Sequence, residues 1–198
     1  TKRGELLFTH LPALERYQLA PMEPIVIPAR DGLELQGYIT YPPGERRRKL
    51  PLVLRVHGGP WSRDYWGYNP EAQWLANRGY VCLQVDYRGS RGYGKDFMNA
   101  GNREWGGAMQ DDLTDAVRWA ISRRIADPER IAIMGAAYGG YAALTALVNL
   151  TWAVDHMQKL VAAHSHLDVA GLKARLVAEA QAMLQEDIVI NRQIGTYG

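Results

Sequence analysis

Gly135-Ala136-Ala137-Tyr138-Gly139 is the segment whose residue types and spacing come nearest to a reaction centre. It follows the apolar run Ile131 to Met134 and leads into an apolar, alanine-rich stretch, so it reads as a strand turning sharply into a helix. Glycines on both sides of such a turn let the central side chain stand clear beside a helix N-terminus, which is how a serine oxygen is presented to a carbonyl carbon. Here the centre is Ala137. A methyl group has no oxygen to attack with, and no base can activate it. Taken alone, the pattern is better explained by close packing of a helix on a strand.

Three other segments change that balance. His57-Gly58-Gly59-Pro60 follows an apolar strand, where a glycine-rich loop can offer backbone N–H groups to a developing oxyanion. Tyr87-Arg88-Gly89-Ser90-Arg91-Gly92-Tyr93-Gly94 follows the next strand, and Glu104-Trp105-Gly106 precedes an amphipathic helix. In order and spacing, from about Pro21 to Leu144, these resemble the acylaminoacyl-peptidase and dipeptidyl-peptidase branch of the prolyl oligopeptidase family. Leu7-Phe8-Thr9-His10 and Leu19-Ala20-Pro21-Met22 resemble that family's link from a β-propeller into its hydrolase domain, although no propeller is expected in this chain.

The resemblance implies serine-peptidase chemistry on short peptides through an acyl-enzyme, with a peptide as substrate or ligand and no cofactor. It places Ala137 at the nucleophile position, and the N–H groups of Tyr138, Gly58 and Gly59 as oxyanion donors. The departures are as informative. In this family the acid and the histidine lie far downstream of the nucleophile, and sixty-one residues follow Ala137. Asp155, His156, His164, His166, Asp168 and Asp187 are the candidates there, and none stands in a context like the family's acid or base loop. The expectation is a chain without peptidase activity.

The tail carries a second resemblance. Val148 to Met157, Glu179-Ala180 through Glu186-Asp187, Asn191-Arg192 and Ile194-Gly195 are similar to a helical stretch of methylthioribose-1-phosphate isomerase. That family's Arg-Gly-Ala-Pro segment and its catalytic Cys and Asp have no counterpart here. A junction between Ala137 and Leu147 would make the chain a fusion, a design or a misassembled frame.

The elements that must position these groups read as an α/β fold: a partial α/β-hydrolase sheet, mostly parallel, opened by an N-terminal hairpin and followed by a helical segment. Residues 1–23 form a linker, 24–146 the partial hydrolase domain and 147–198 the helical part. Pro24 to Ala29 and Leu33 to Tyr41 pair across Asp31-Gly32. Leu52 to His57 and Val81 to Asp86 are buried strands on either side of a helix from Pro70 to Asn77. Asp111 to Arg124 is an amphipathic helix, Asp127-Pro128 a loop, and Arg130 to Met134 the strand before the turn. Beyond Thr145 helix is expected, over Leu147 to Ala163 and His166 to Ile190, with Leu172, Leu176 and Met183 on a stripe suited to self-association.

Composition narrows the remaining classes. A formal charge of +2 argues for neither nucleic acid nor an anionic membrane as partner. Arg46-Arg47-Arg48-Lys49 reads as a solvated loop, and Trp61, Tyr65, Trp66, Tyr68 and Trp74 as packing over a sheet edge or cleft. Gly89 to Asp96 misses the phosphate-loop pattern because Asp96 stands where a hydroxyl should bind magnesium. The single cysteine, Cys82, excludes a disulfide framework and a zinc cluster, so no metal is expected. The N-terminus has no secretory character, and the uncharged stretch Ile131 to Val154 is broken by Gly135, Gly139 and Gly140, so neither export nor a membrane span is expected. The expected location is cytoplasmic.

Overall fold

The computed structural model describes residues 8–148, with side chains through residue 146. The chain divides into two units after Ala146, and the elements that follow lie in the first, apart from the end of the last helix. In chain order they are β1 (Met22–Pro28), β2 (Glu34–Thr40), β3 (Leu50–Val56), α1 (Pro70–Ala76), β4 (Val81–Asp86), α2 (Lys95–Asn99), α3 (Ala108–Ser122), β5 (Ala126–Gly135) and α4 (Tyr138–Val148).

The five strands form one sheet in the order β1-β2-β4-β3-β5. β1 and β2 are the expected antiparallel hairpin, and β2 runs antiparallel to β4. β3 pairs in parallel with both β4 and β5, so it sits between the two strands that follow it in sequence. Gly37 is required where β2 crosses β4, because a β-carbon there would collide with the Gln84 carbonyl.

Side-chain alternation explains the layers. Leu52, Leu54 and Val56 of β3, with Val81, Leu83 and Val85 of β4, pack on Met109, Leu113, Ala116 and Ala120 of α3. Val53 and Cys82 point to the opposite face, against Ala72 and Leu75 of α1. Helices therefore cover both faces, as parallel strands require. Asn69 caps α1, its side chain accepting the Ala72 N–H at 2.9 Å, and Pro70 opens the first turn without losing a hydrogen bond. Glu104 caps α3, accepting the Ala108 N–H at 3.0 Å.

Three details differ from the sequence expectation. β5 begins at Ala126, so Asp127-Pro128 lies within the strand rather than in a loop before it. The register jumps from Leu50↔Ala126 to Leu52↔Ile131, so the proline falls in an irregularity where no ladder hydrogen bond to β3 is required of it. α2 and a turn of 3-10 helix at Pro12–Leu14 were not anticipated, since elements this short leave no periodicity to read. The segments expected to be helical beyond residue 148, with their Leu172, Leu176 and Met183 stripe, lie outside the described residues.

Candidate active site

At the end of β5 the chain turns into α4 with Ala137 at φ +53°, a left-handed conformation that is uncommon for a residue with a β-carbon. The flanking glycines are there for space. A β-carbon on Gly135 would lie 2.5 Å from the Val56 carbonyl oxygen, and one on Gly139 would overlap the same oxygen. The turn is closed by the Gly139 N–H donating to the Ala136 carbonyl at 3.0 Å and the Tyr141 N–H to the Ala137 carbonyl at 3.1 Å. Ala137 itself is exposed. The backbone thus has the sharp form that lifts a nucleophile above a sheet, and it lifts a methyl group.

The glycine-rich loop after β3 lies against this turn. A β-carbon on Gly58 would stand 3.4 Å from the β-carbon of Ala137 and 3.1 Å from the Ala136 carbonyl oxygen, so a larger residue would press on the turn. Ala137, Tyr138 and the Gly58-Gly59 loop are therefore brought together. Among the described residues, no acceptor takes the N–H of Gly58, Gly59 or Tyr138. Beside them opens a cavity of about 390 Å³, lined by His57, Gly58, Asp64, Met134 and Ala136 among others.

Under the loop lies a polar cluster made by the α1-facing side of β3 and β4. Arg55, Gln84 and Asp86 alternate onto that side, and Asp64 comes down from the loop to meet them. The Asp64 carboxylate accepts from Arg55 and from Gln84, each at 2.8 Å, while its own N–H donates to Asp86 at 2.7 Å. Tyr93 donates a very short hydrogen bond to the other Asp86 oxygen, and Arg63 donates to Tyr93 at 2.8 Å. Burial pushes the Asp86 carboxyl up, against the opposing pull of the Tyr93 hydroxyl and the Asp64 amide.

His57 is held among these groups rather than offered to the turn. Its ring stacks on Tyr87 at 4.4 Å between centroids; Nδ1 lies 2.8 Å from the Gly58 carbonyl oxygen and Nε2 2.9 Å from Ser90 Oγ. Tyr87 in turn stacks on Tyr138 at 5.1 Å, so one aromatic column ties the glycine loop to the turn. Burial raises the Tyr138 and Tyr87 hydroxyls above the usual phenol range.

The sequence reading missed Ser90, Asp64 and Asp86 as parts of this site. A signal existed in Val81-Cys82-Leu83-Gln84-Val85-Asp86, a strand buried at every position that nevertheless carries two polar side chains on one face. Cys82 is buried as expected, its thiol pushed up to about 12 by burial and correspondingly inert. The loop around Arg46 is exposed, although Arg47 forms a bidentate pair with Glu23. Of the aromatic cluster, Trp61, Tyr65, Trp66, Tyr68 and Trp74 all keep about half or more of their surface exposed, and Trp66 donates to the Met22 carbonyl at the start of β1. The downstream candidates Asp155, His156, His164, His166, Asp168 and Asp187 lie outside the described residues. Among the described residues no helix is long and apolar enough to cross a membrane, and no group of three His, Cys, Asp or Glu side chains could hold a metal.

Known proteins are similar to this chain. Residues 66–187 match the model of the prolyl oligopeptidase family. Dipeptidyl aminopeptidase BIII of Pseudoxanthomonas mexicana is 51% identical over 148 residues, covering 71% of this chain and 22% of that protein. Dipeptidyl peptidase family member 6 of Caenorhabditis elegans is 40% identical over 167 residues, 74% of this chain and 23% of its own. Among solved structures, the acylaminoacyl peptidase of Pyrococcus horikoshii superposes with a TM-score of 0.65 at 30% identity, over 73% of this chain and 24% of that one. The chain thus spans about a quarter of the length of these relatives.

Proposed function

The chain belongs to the prolyl oligopeptidase family, and from that premise we propose that it is the elbow-bearing part of a serine-peptidase-type hydrolase domain with no peptidase activity of its own. The observation that carries this reading is Ala137, exposed at the tip of a turn whose strained backbone and paired glycines suit a nucleophile. In such a site the nucleophile attacks the carbonyl, a histidine takes its proton, and backbone N–H groups hold the resulting oxyanion. Here the Gly58, Gly59 and Tyr138 amides are the donors. The attacking oxygen is missing, and the one described histidine beside the turn, His57, has both ring nitrogens engaged elsewhere. Loss of the nucleophile leaves only the small acceleration that binding and oxyanion contacts supply.

Peptide binding without cleavage is the activity this arrangement retains. The amides that find no acceptor among the described residues, the cavity beside them and the exposed aromatics Trp61, Tyr65 and Trp66 support it. A cytoplasmic site of action is part of the reading, supported by a single buried thiol and no disulfide framework. The alternative, a fusion whose tail is an isomerase-related helical interaction module, has the resemblance of residues 147–198 behind it. Against it stands the family match, which runs through residue 187.

The test is direct. Dipeptidyl and N-acyl aminoacyl p-nitroanilides incubated with the native chain should release no chromophore beyond a heat-denatured control. Release proportional to protein concentration, and lost on denaturation, would overturn the proposal.

A further inference from the structure

We infer that Ser90 is a positioning residue for the oxyanion donors, acting through His57 on the peptide unit between Gly58 and Gly59. The inference rests on the reading of those amides given above, and the geometry carries it one step further out. Ser90 is wholly buried, and its hydroxyl, 2.6 Å from the Tyr87 carbonyl oxygen and 2.9 Å from His57 Nε2, shares its one proton between these two acceptors. The Ser90 N–H donates to the same Tyr87 carbonyl at 3.0 Å, so backbone and side chain together fix where the hydroxyl stands.

The His57 ring has three other neighbours, the first being the Tyr87 hydroxyl, which donates to the His57 carbonyl at 3.0 Å and stands 3.3 Å from Nδ1. Stacking on Tyr87, with the planes 14° apart, limits tilt and restrains in-plane displacement less. Asp86 Oδ1 lies 3.6 Å from Nε2, beyond hydrogen-bond range. The Ser90 hydroxyl therefore holds the Nε2 end of the ring, and through the rigid ring it helps direct Nδ1. Nδ1 lies 2.8 Å from the Gly58 carbonyl oxygen; a carbonyl only accepts, so Nδ1 carries the proton and donates. The peptide that follows Gly58 is planar and trans, so fixing its C=O toward the ring points the Gly59 N–H the opposite way. Both residues are glycines with little conformational resistance of their own, Gly59 at φ +126°. An outside hold on this peptide is what keeps the donor aimed.

The experiment is nitrogen-15 NMR on the full chain, reading the His57 ring nitrogens and the Gly59 amide. In the native protein a slowly exchanging proton is expected on Nδ1. Ser90→Ala should abolish that signal and displace the Gly59 amide resonance. Ser90→Thr, which keeps the hydroxyl, should restore both, whereas Ser122→Ala, which removes a hydroxyl from the exposed end of α3, should change neither. A folded Ser90→Ala protein with both signals unmoved would overturn the inference. So would a native His57 ring protonated at Nε2 alone, a result that needs no variant. The readout is independent of whether the amides ever bind a carbonyl. If Ser90→Ala acts as expected while titration with an N-acetylated tripeptide amide leaves the native Gly59 resonance in place, the positioning role stands and the peptide-binding reading falls.

Discussion

β4 and the second half of β5, Ile131 to Met134, are built from similar apolar residues and lie in different surroundings. β4 is buried at all six positions, whereas of the ten residues of β5 only Ala126 is. β4 has β2 and β3 on its edges, with α1 and α3 over its faces; β5 pairs with β3 alone among the described strands. Burial is thus a property of neighbours as well as of composition. The two outer edges of the sheet differ in the same sense. β1 carries Pro24 and Pro28, which offer no N–H to an incoming strand, whereas β5 from Arg130 to Gly135 has no proline. One edge is finished as an edge, and the other has the sequence of an interior strand.

The comparison can be tested by substitution, beginning where the enclosure is complete. Arg88 forms a bidentate pair with the fully buried Asp112, joining the end of β4 to α3. Asp112→Ala leaves that guanidinium with only the half-exposed Asp31 as partner, and it should cost about 4 kcal/mol in urea unfolding. A cost below about 1 kcal/mol would mean that this side of the sheet is looser than its burial implies.

Next in size is a matched pair of truncations. Leu83→Ala, at a wholly buried β4 position, should cost about 3 kcal/mol by leaving a cavity. Ile133→Ala, at the half-buried equivalent in β5, should cost about 1 kcal/mol in the same measurement. Equal costs would remove the distinction between the two strands.

The smallest effect concerns acid. Burial raises the Asp115 carboxyl, but the hydrogen bonds from Arg30 outweigh it and hold the group below its ordinary 3.8. A carboxyl whose folded pKa is depressed contributes stability that is fully present above its unfolded value and is lost as pH falls through the folded one. The thermal midpoint should therefore decline below about pH 4, and Asp115→Asn should flatten that decline. An unchanged acid limb in the variant would show that Asp115 is not among the groups responsible.

The sheet was largely legible because its signals are local. Asp31-Gly32 marks the hairpin, the spacing of Leu113, Val117, Ala120 and Ile121 marks α3, and the apolar run of β4 marks a strand covered on both faces. Gly135 and Gly139 gave the turn, since their spacing is set by how closely α4 must approach the Val56 carbonyl. What escaped was the start of β5, where a proline reads as a break unless the register of the neighbouring strand is known. The Ser90–His57 contact escaped for a related reason. It joins residues 33 apart in sequence, and nothing near either one announces the other.

We propose that this chain holds the frame of a serine-peptidase site without, among the described residues, the groups that would run it. Labelling of the folded Ala137→Ser variant by a fluorophosphonate probe, beside the native chain and a heat-denatured control, tests it most directly. The account predicts no labelling of any of the three, because among the described residues no base is placed to activate a serine at residue 137. Labelling of the native variant alone would contradict the account, since a histidine of this chain would then reach the turn and one substitution would be all that silences it.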